Sequence, residues 1–168
     1  MHALRIKQLT PPEVRALPCF DQKHWNQLSA FRARPDRQHV AVAYLGSEEV
    51  GFIFADLKTE TDDRENIMVH RIIWQPQFIH TVERYQRQRI ASQIGHITAQ
   101  WVASRVIEEF HQKAPDGFTV TYQMAVNEEG PGGRPTANKI HMYVSGLLKA
   151  QGLTLTPYGY STFTVIKL

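Results

Sequence analysis

Apolar residues at the start of the chain fall at Leu4, Ile6 and Leu9 between polar neighbours, the alternation of a short strand that Thr10-Pro11-Pro12 stops. Segments 12 to 18 and 21 to 34 read as two short helices, the second with Trp25, Leu28 and Phe31 at three-residue spacing and Asp21 as its N-cap. His39 to Leu45 and Val50 to Leu57 are β-branched and aromatic runs punctuated by Gly46-Ser47, which predicts a β-hairpin. The acidic stretch TETDDREN reads as a turn leading to a strand from Ile67 to Trp74. Pro76 interrupts that strand, and Phe78, His80 and Val82 resume it with period two, so a kinked or bulged strand is expected.

From Ile90 the period changes. Ile90, Ile94, Ile97 and Trp101, continued by Ile107 and Phe110, predict the longest helix, which Ala114-Pro115-Asp116-Gly117 ends. Phe118, Val120, Tyr122, Met124 and Val126 then alternate as a half-buried strand. The Gly- and Pro-rich segment 127 to 137 reads as a loop, Ile140, Tyr143, Val144, Leu147 and Leu148 as a helix ending at Gly152, and Leu153 to Thr156 and Thr162 to Leu168 as strands around the turn PYGYS. The order β, α, α, β, β, β, α, β, α, β, β, with no repeat and no linker, predicts one α/β domain over residues 1 to 168.

Composition narrows the classes. With 168 residues, 42% hydrophobic and 21% charged, the chain is long enough for one core and is neither disordered nor fibrous. No apolar run approaches the roughly 18 to 20 residues that span a bilayer, and the first residues do not read as a signal peptide, so a cytoplasmic protein is expected. Cys19 is the single cysteine, which excludes an internal disulfide and a thiolate cluster and reads as a buried structural thiol. The formal charge is +3, and twelve of nineteen cations are arginines, in two clusters: Arg32, Arg34 and Arg37, then Arg84, Arg87 and Arg89. The first cluster reads as a solvated helix end and loop.

The second cluster lies in Glu83-Arg84-Tyr85-Gln86-Arg87-Gln88-Arg89-Ile90-Ala91-Ser92, at a strand-to-helix junction. A helix start offers unpaired N–H groups and the positive end of the helix dipole, so a tight loop there can wrap a pyrophosphate. Here the chain resembles the GNAT acetyltransferase superfamily, whose acetyl-CoA loop runs Gln or Arg, two residues, Gly, one residue, then Gly or Ala. Gln86, Arg87, Gln88, Arg89, Ile90 and Ala91 fit this at every defined place but one, since Arg89 stands where the glycine is usual. The element order matches almost from end to end. The resemblance implies a twisted mixed sheet flanked by helices whose fourth and fifth strands splay apart around the pantetheine arm of acetyl-CoA or another acyl-CoA. Phe78 to Val82 should then line that arm, with Ile79, Thr81 and Val82 as binding positions, while Gln86 to Ala91 and Ser92 hold the phosphates.

Acyl transfer from a thioester to an amine needs a base, a donor for the oxyanion and an acid for the leaving thiolate. The resemblance implies a base on or near the fourth strand. His80 has that place, and a histidine's ordinary pKa of about 6.5 suits it; Glu83 is the second candidate. Glu65 and His70, earlier in the same strand system, are expected at the surface or at an acceptor pocket. The family's acid is a Tyr four residues before the glycine that ends the next helix, and here that place is Leu148. Tyr143, or Ser145, is the substitute, and Asn138 matches a family asparagine at the helix start that contacts the cofactor, or serves as its N-cap. The histidines are not paired at metal-ligand spacing, and no HExxH, GxSxG or Walker loop occurs.

The expected activity is acyl transfer to a primary amine, small-molecule or peptide. Asp62, Asp63 and Glu65 in the acidic turn favour a cationic acceptor. Two alternatives stay open: a noncatalytic acyl-CoA-binding module, favoured by Arg89 and Leu148, and a nucleic-acid-binding module using the arginines, for which a denser basic stripe is usual. The final strands also leave an edge on which a homodimer could form.

Overall fold

A computed structural model describes residues 3–10, 13, 37–64, 67–125, 133–159 and 161–168, and of residues 64, 77, 78 and 133 the backbone alone. Apart from Glu13, the two early helices lie outside the described residues, as do Cys19, Asp21, the first arginine cluster except Arg37, and Glu65. Among the described residues seven strands form one sheet: β1 (Leu4–Gln8), β2 (Gln38–Leu45), β3 (Glu48–Arg64), β4 (Ile67–Thr81), β5 (Thr119–Met124), β6 (Leu153–Gly159) and β7 (Thr162–Lys167), in the order β1-β2-β3-β4-β5-β7-β6. Every pairing is antiparallel except β4 with β5, which is parallel. That parallel step needs a crossover. Helix α1 (Ile90–Lys113) supplies it, and α2 (Gly133–Ala150) connects β5 to β6. No helix among the described residues is long and apolar enough to cross a membrane.

The expected bulge is present. Phe54 pairs with Phe78 and Ala55 with Pro76, which leaves Gln77 without a cross-strand partner beside the residue that lacks an N–H. The acidic stretch departs from expectation: Thr59 to Arg64 is not a turn but the end of β3, paired from Thr59↔Ile72 to Arg64↔Ile67. Carboxylates are depleted in strands as a class, yet here they alternate with Thr59 and Thr61 against Ile67, Val69 and Ile72, and Asp62 meets Arg71 at 3.6 Å. Two further boundaries move. Residues 133 to 137 open α2 instead of closing a loop, and Pro157 to Gly159 extend β6.

One core joins both helices to the sheet: Ala41, Ala43, Ile53, Ile72, Trp74 and Tyr122 pack against Ile90, Ile94, Val102 and Val106 of α1 and Ala137, Ile140, Val144 and Leu148 of α2. Two glycines set the approach. A Cβ on Gly51 would come within 3.0 Å of the His80 carbonyl and 3.1 Å of Ile90 Cγ2, and one on Gly95 within 3.0 Å of Ile140 Cγ1. Glycine at these sites lets the first turn of α1 lie against β3 and lets α2 lie against α1. Gly117 and Gly152, with φ of 87° and 73°, follow a 3₁₀ turn and α2 respectively in the left-handed conformation.

Candidate functional site

Strand β4 has two halves. From Val69 to Trp74 it is paired on both sides, to β3 and to β5, with Trp74↔Met124 as the last β5 pair and the Ala125 N–H on the Trp74 carbonyl at 2.9 Å. Beyond Trp74 the strands part. Among the described residues, 75 to 81 pair with β3 alone. The Val82 N–H donates to the Val50 carbonyl at 3.0 Å. Ladder alternation then turns the backbone groups of His80 and Val82 toward β3 and those of Ile79 and Thr81 toward the open edge. Ile79 and Thr81 thus present N–H and C=O groups where the pantetheine amides were expected, whereas the Val82 N–H is already used.

The chain then folds tightly into α1. Glu83 to Tyr85 form a 3₁₀ turn, the N–H groups of Tyr85, Gln86 and Gln88 donate to the carbonyls of Val82, Glu83 and Tyr85 at 2.8, 3.1 and 3.4 Å, and the Tyr85 hydroxyl donates to Glu48 at 2.7 Å. Arg84 forms an ion pair with the same carboxylate. This fastens the turn to β3, and two exposed residues beyond it take left-handed backbone: Arg87 at φ 69° and Arg89 at φ 61°. A side chain in that conformation costs about 1 kcal/mol or more. Arg89 therefore does what a glycine would do at the expected motif position, at a conformational cost, and adds a cation.

Arg89 is the N-cap of α1 and makes no side-chain cap bond; the first intrahelical bond runs from the Gln93 N–H to its carbonyl at 3.1 Å. The N–H groups of Ile90, Ala91 and Ser92 have no partner within the helix. Left-handed residues that lead into helical ones can turn such groups into a concave anion cradle, and both left-handed residues here, Arg87 and Arg89, are cationic and exposed. Gln86 and Gln88 are exposed in the same loop.

Of the candidates for the reaction, Tyr143 and Ser92 are brought together: their hydroxyl oxygens are 3.4 Å apart, and the Tyr143 ring lies edge-on to His96 at 4.1 Å. Ser145 is half-buried on α2. Gly51 faces α1, and Thr81 pairs with it, so Ile79 and Thr81 share the helix face and His80 points to the other one. There the exposed His80 ring lies 5.5 Å from that of Phe52. His80 and Tyr143 consequently flank the open edge from opposite faces. Glu83 is exposed in the 3₁₀ turn.

Two expectations are corrected. Asn138 is neither an N-cap nor at the helix start, because α2 begins at Gly133 and Asn138 lies exposed in its second turn. As the sequence reading has it, no donor stands at Leu148, which is fully buried in the core. His70 is neither at the surface nor at the open edge: it is 3% exposed, in the doubly paired half of β4, and bonded to Thr61 and Glu109.

Trp74, Tyr122 and His141 were missed by sequence reading. Trp74 Nε1, the Tyr122 hydroxyl and His141 Nδ1 are buried without a hydrogen-bond partner at the point where β4 and β5 part. The His141 ring stacks on Tyr122 at 5.7 Å and on Phe163 at 4.7 Å. Burial lowers the His141 pKa and raises that of Tyr122, so both are neutral near pH 7. They lie on two elements nineteen positions apart, and no motif spacing links them. A separate open groove of about 480 Å³ runs between β1 and the flank of α1, lined by Gln8, Trp101 and Arg105 among others, away from the open edge.

No protein-family model matches the chain, and no curated protein does. Solved structures similar to it include an acetyltransferase of the GNAT family from Streptococcus pneumoniae, at 15% identity over 97% of this chain and 96% of that one, with a TM-score of 0.39. A ribosomal-protein-alanine N-acetyltransferase from Brucella melitensis shares 13% identity over 82% and 90%, with a TM-score of 0.42. A predicted acetyltransferase from Clostridium acetobutylicum, solved with acetyl-CoA, shares 6% identity over 82% and 88%, with a TM-score of 0.46. At such identities and scores the functional reading rests on the loop and the open strand edge.

Proposed function

We propose that the chain is an acyl-CoA-dependent N-acyltransferase of GNAT type, which passes an acetyl or related acyl group to a primary amine by direct attack. The observation that carries this is the left-handed pair Arg87 and Arg89, leading into an uncapped helix start beside the open edge of β4. An anion with a long amide-bearing arm fits that combination: its phosphates meet the N–H groups of Ile90 to Ser92, and its amides continue the ladder at Ile79 and Thr81. His80 takes the amine proton from one face of the edge. From the helix face Tyr143, bonded to Ser92, returns a proton to the leaving thiolate. The acceptor is a small-molecule or peptide amine.

Thermal unfolding with and without acetyl-CoA tests the cosubstrate. At about 100 times its Kd the ligand should stabilise the fold by roughly 2.7 kcal/mol, and the double change Arg87→Glu with Arg89→Glu should abolish the shift. No shift at millimolar acetyl-CoA or longer acyl-CoAs would refute the reading. The buried Leu148 favours a second reading, a binding module without turnover. Thiol release with a panel of amines separates the two, and only the catalytic reading predicts its loss in His80→Ala and Tyr143→Phe.

A further inference from the structure

A hydroxyl, an imidazole and a carboxylate from three different elements line up at the far end of the long hairpin. Thr61 and His70 are direct cross-strand partners on β3 and β4, with Thr61 Oγ1 3.0 Å from His70 Nδ1. On the other side of the ring, Nε2 lies 2.7 Å from Glu109 Oε2 on α1. The imidazole is 3% exposed, while Thr61 is open to solvent. A carboxylate can only accept, so it fixes a ring proton on Nε2, and in the neutral ring the Nδ1 lone pair then faces the Thr61 hydroxyl. Phe118 closes the ring edge-on at 6.5 Å, and the Lys113 ammonium lies over Phe118 at 5.7 Å. This is the mutual geometry of a nucleophile, its base and the group that orients the base.

We propose that Thr61 is a second, acyl-accepting centre, which takes small activated acyl esters or thioesters with His70 as base and Glu109 as positioning residue. The Thr61 oxygen attacks the carbonyl as its proton passes to His70 Nδ1. The bond to the leaving oxygen or sulfur breaks, His70 returns the proton to that group, and a threonyl ester remains. The centre lies in the doubly paired half of β4, so it does not depend on the acyl-CoA reading.

The test uses the whole chain with p-nitrophenyl acetate in one arm and acetyl-CoA in the other, followed by intact mass, peptide mapping and hydroxylamine treatment. The expected product is one acetyl group on Thr61, removed by hydroxylamine as an ester is and an amide is not. It should form in Thr61→Ser and be absent in Thr61→Val, whose side chain is exposed and nearly isosteric. General-base assistance contributes about 100-fold or more, so His70→Gln should slow labelling by that factor and remove the ionisation seen in the rate against pH. Glu109→Gln should move that ionisation. Labelling by the ester alone supports the centre and assigns it small esters; labelling in both arms extends it to thioesters. Hydroxylamine-resistant label confined to amines, or a Thr61 ester whose rate ignores His70→Gln in a variant that unfolds normally, would overturn the proposal.

Discussion

The two halves of β4 belong to one strand and are paired in opposite ways. Val69, Ile72 and Trp74 sit in the half held by β3 on one side and β5 on the other, and all three are buried. After Trp74 the strand passes Pro76 and the bulge at Gln77, keeps β3, and leaves β5 behind. Ile79, His80 and Thr81 are each at least partly accessible. Pairing on both edges uses up the backbone polar groups and makes a wall; pairing on one edge leaves donors and acceptors for a ligand. The loop that follows continues the second kind of structure, with two left-handed arginines and three helix N–H groups that no side chain caps.

If that division is right, the wall should be the costlier half to damage. Trp74→Ala removes a fully buried side chain and should cost about 3 to 5 kcal/mol, measured by denaturant unfolding. Acid should act next, in the row that holds the bulge. His39 pairs with Ala55 opposite Pro76, stacks on Trp101 at 5.1 Å, and burial lowers its pKa to about 4. The unfolded chain then binds a proton that the folded chain refuses between about pH 6.5 and pH 4, so stability falls as pH falls through that window, by roughly 3 kcal/mol. His39→Phe should flatten this part of the pH profile. Gly51→Ala drives a methyl against the His80 carbonyl and Ile90 and should cost about 1 to 3 kcal/mol, while weakening acetyl-CoA binding by displacing the start of α1. The smallest effect has the opposite sign: Arg89→Gly relieves a left-handed side chain and should stabilise the apoprotein by up to about 1 kcal/mol in the same unfolding measurement.

Much of the frame was legible because periodicity reports burial. The α1 start at Ile90, the alternating strand through Tyr122, the stop at Gly152 and the irregularity beside Pro76 follow from residue types that act locally. The acidic end of β3 was read as a turn because the residues that hold it, Ile67 to Ile72, lie across the hairpin. The face of α1 was only partly legible. Gly95, Thr98, Ala99 and Ala103 make up half of its buried residues, beside Ile90, Ile94, Val102 and Val106, and small residues give a weak apolar period. Within the candidate site, the loop Gln86 to Ala91 was singled out by its motif, but nothing in an arginine foretells a positive φ. Period two places His80 and Thr81 on opposite faces; only the packing of α1 tells which face each takes. Trp74, Tyr122 and His141 meet through the sheet and α2, a juxtaposition that no local spacing encodes.

Amide hydrogen exchange on the chain saturated with acetyl-CoA tests the open-edge reading most directly. The account predicts new protection at Ile79 and Thr81 and at the first-turn amides Ile90, Ala91 and Ser92, with little change at Ile72 to Trp74, which β5 already covers. Saturable binding that leaves Ile79, Thr81 and the start of α1 exchanging as in the free chain would contradict it.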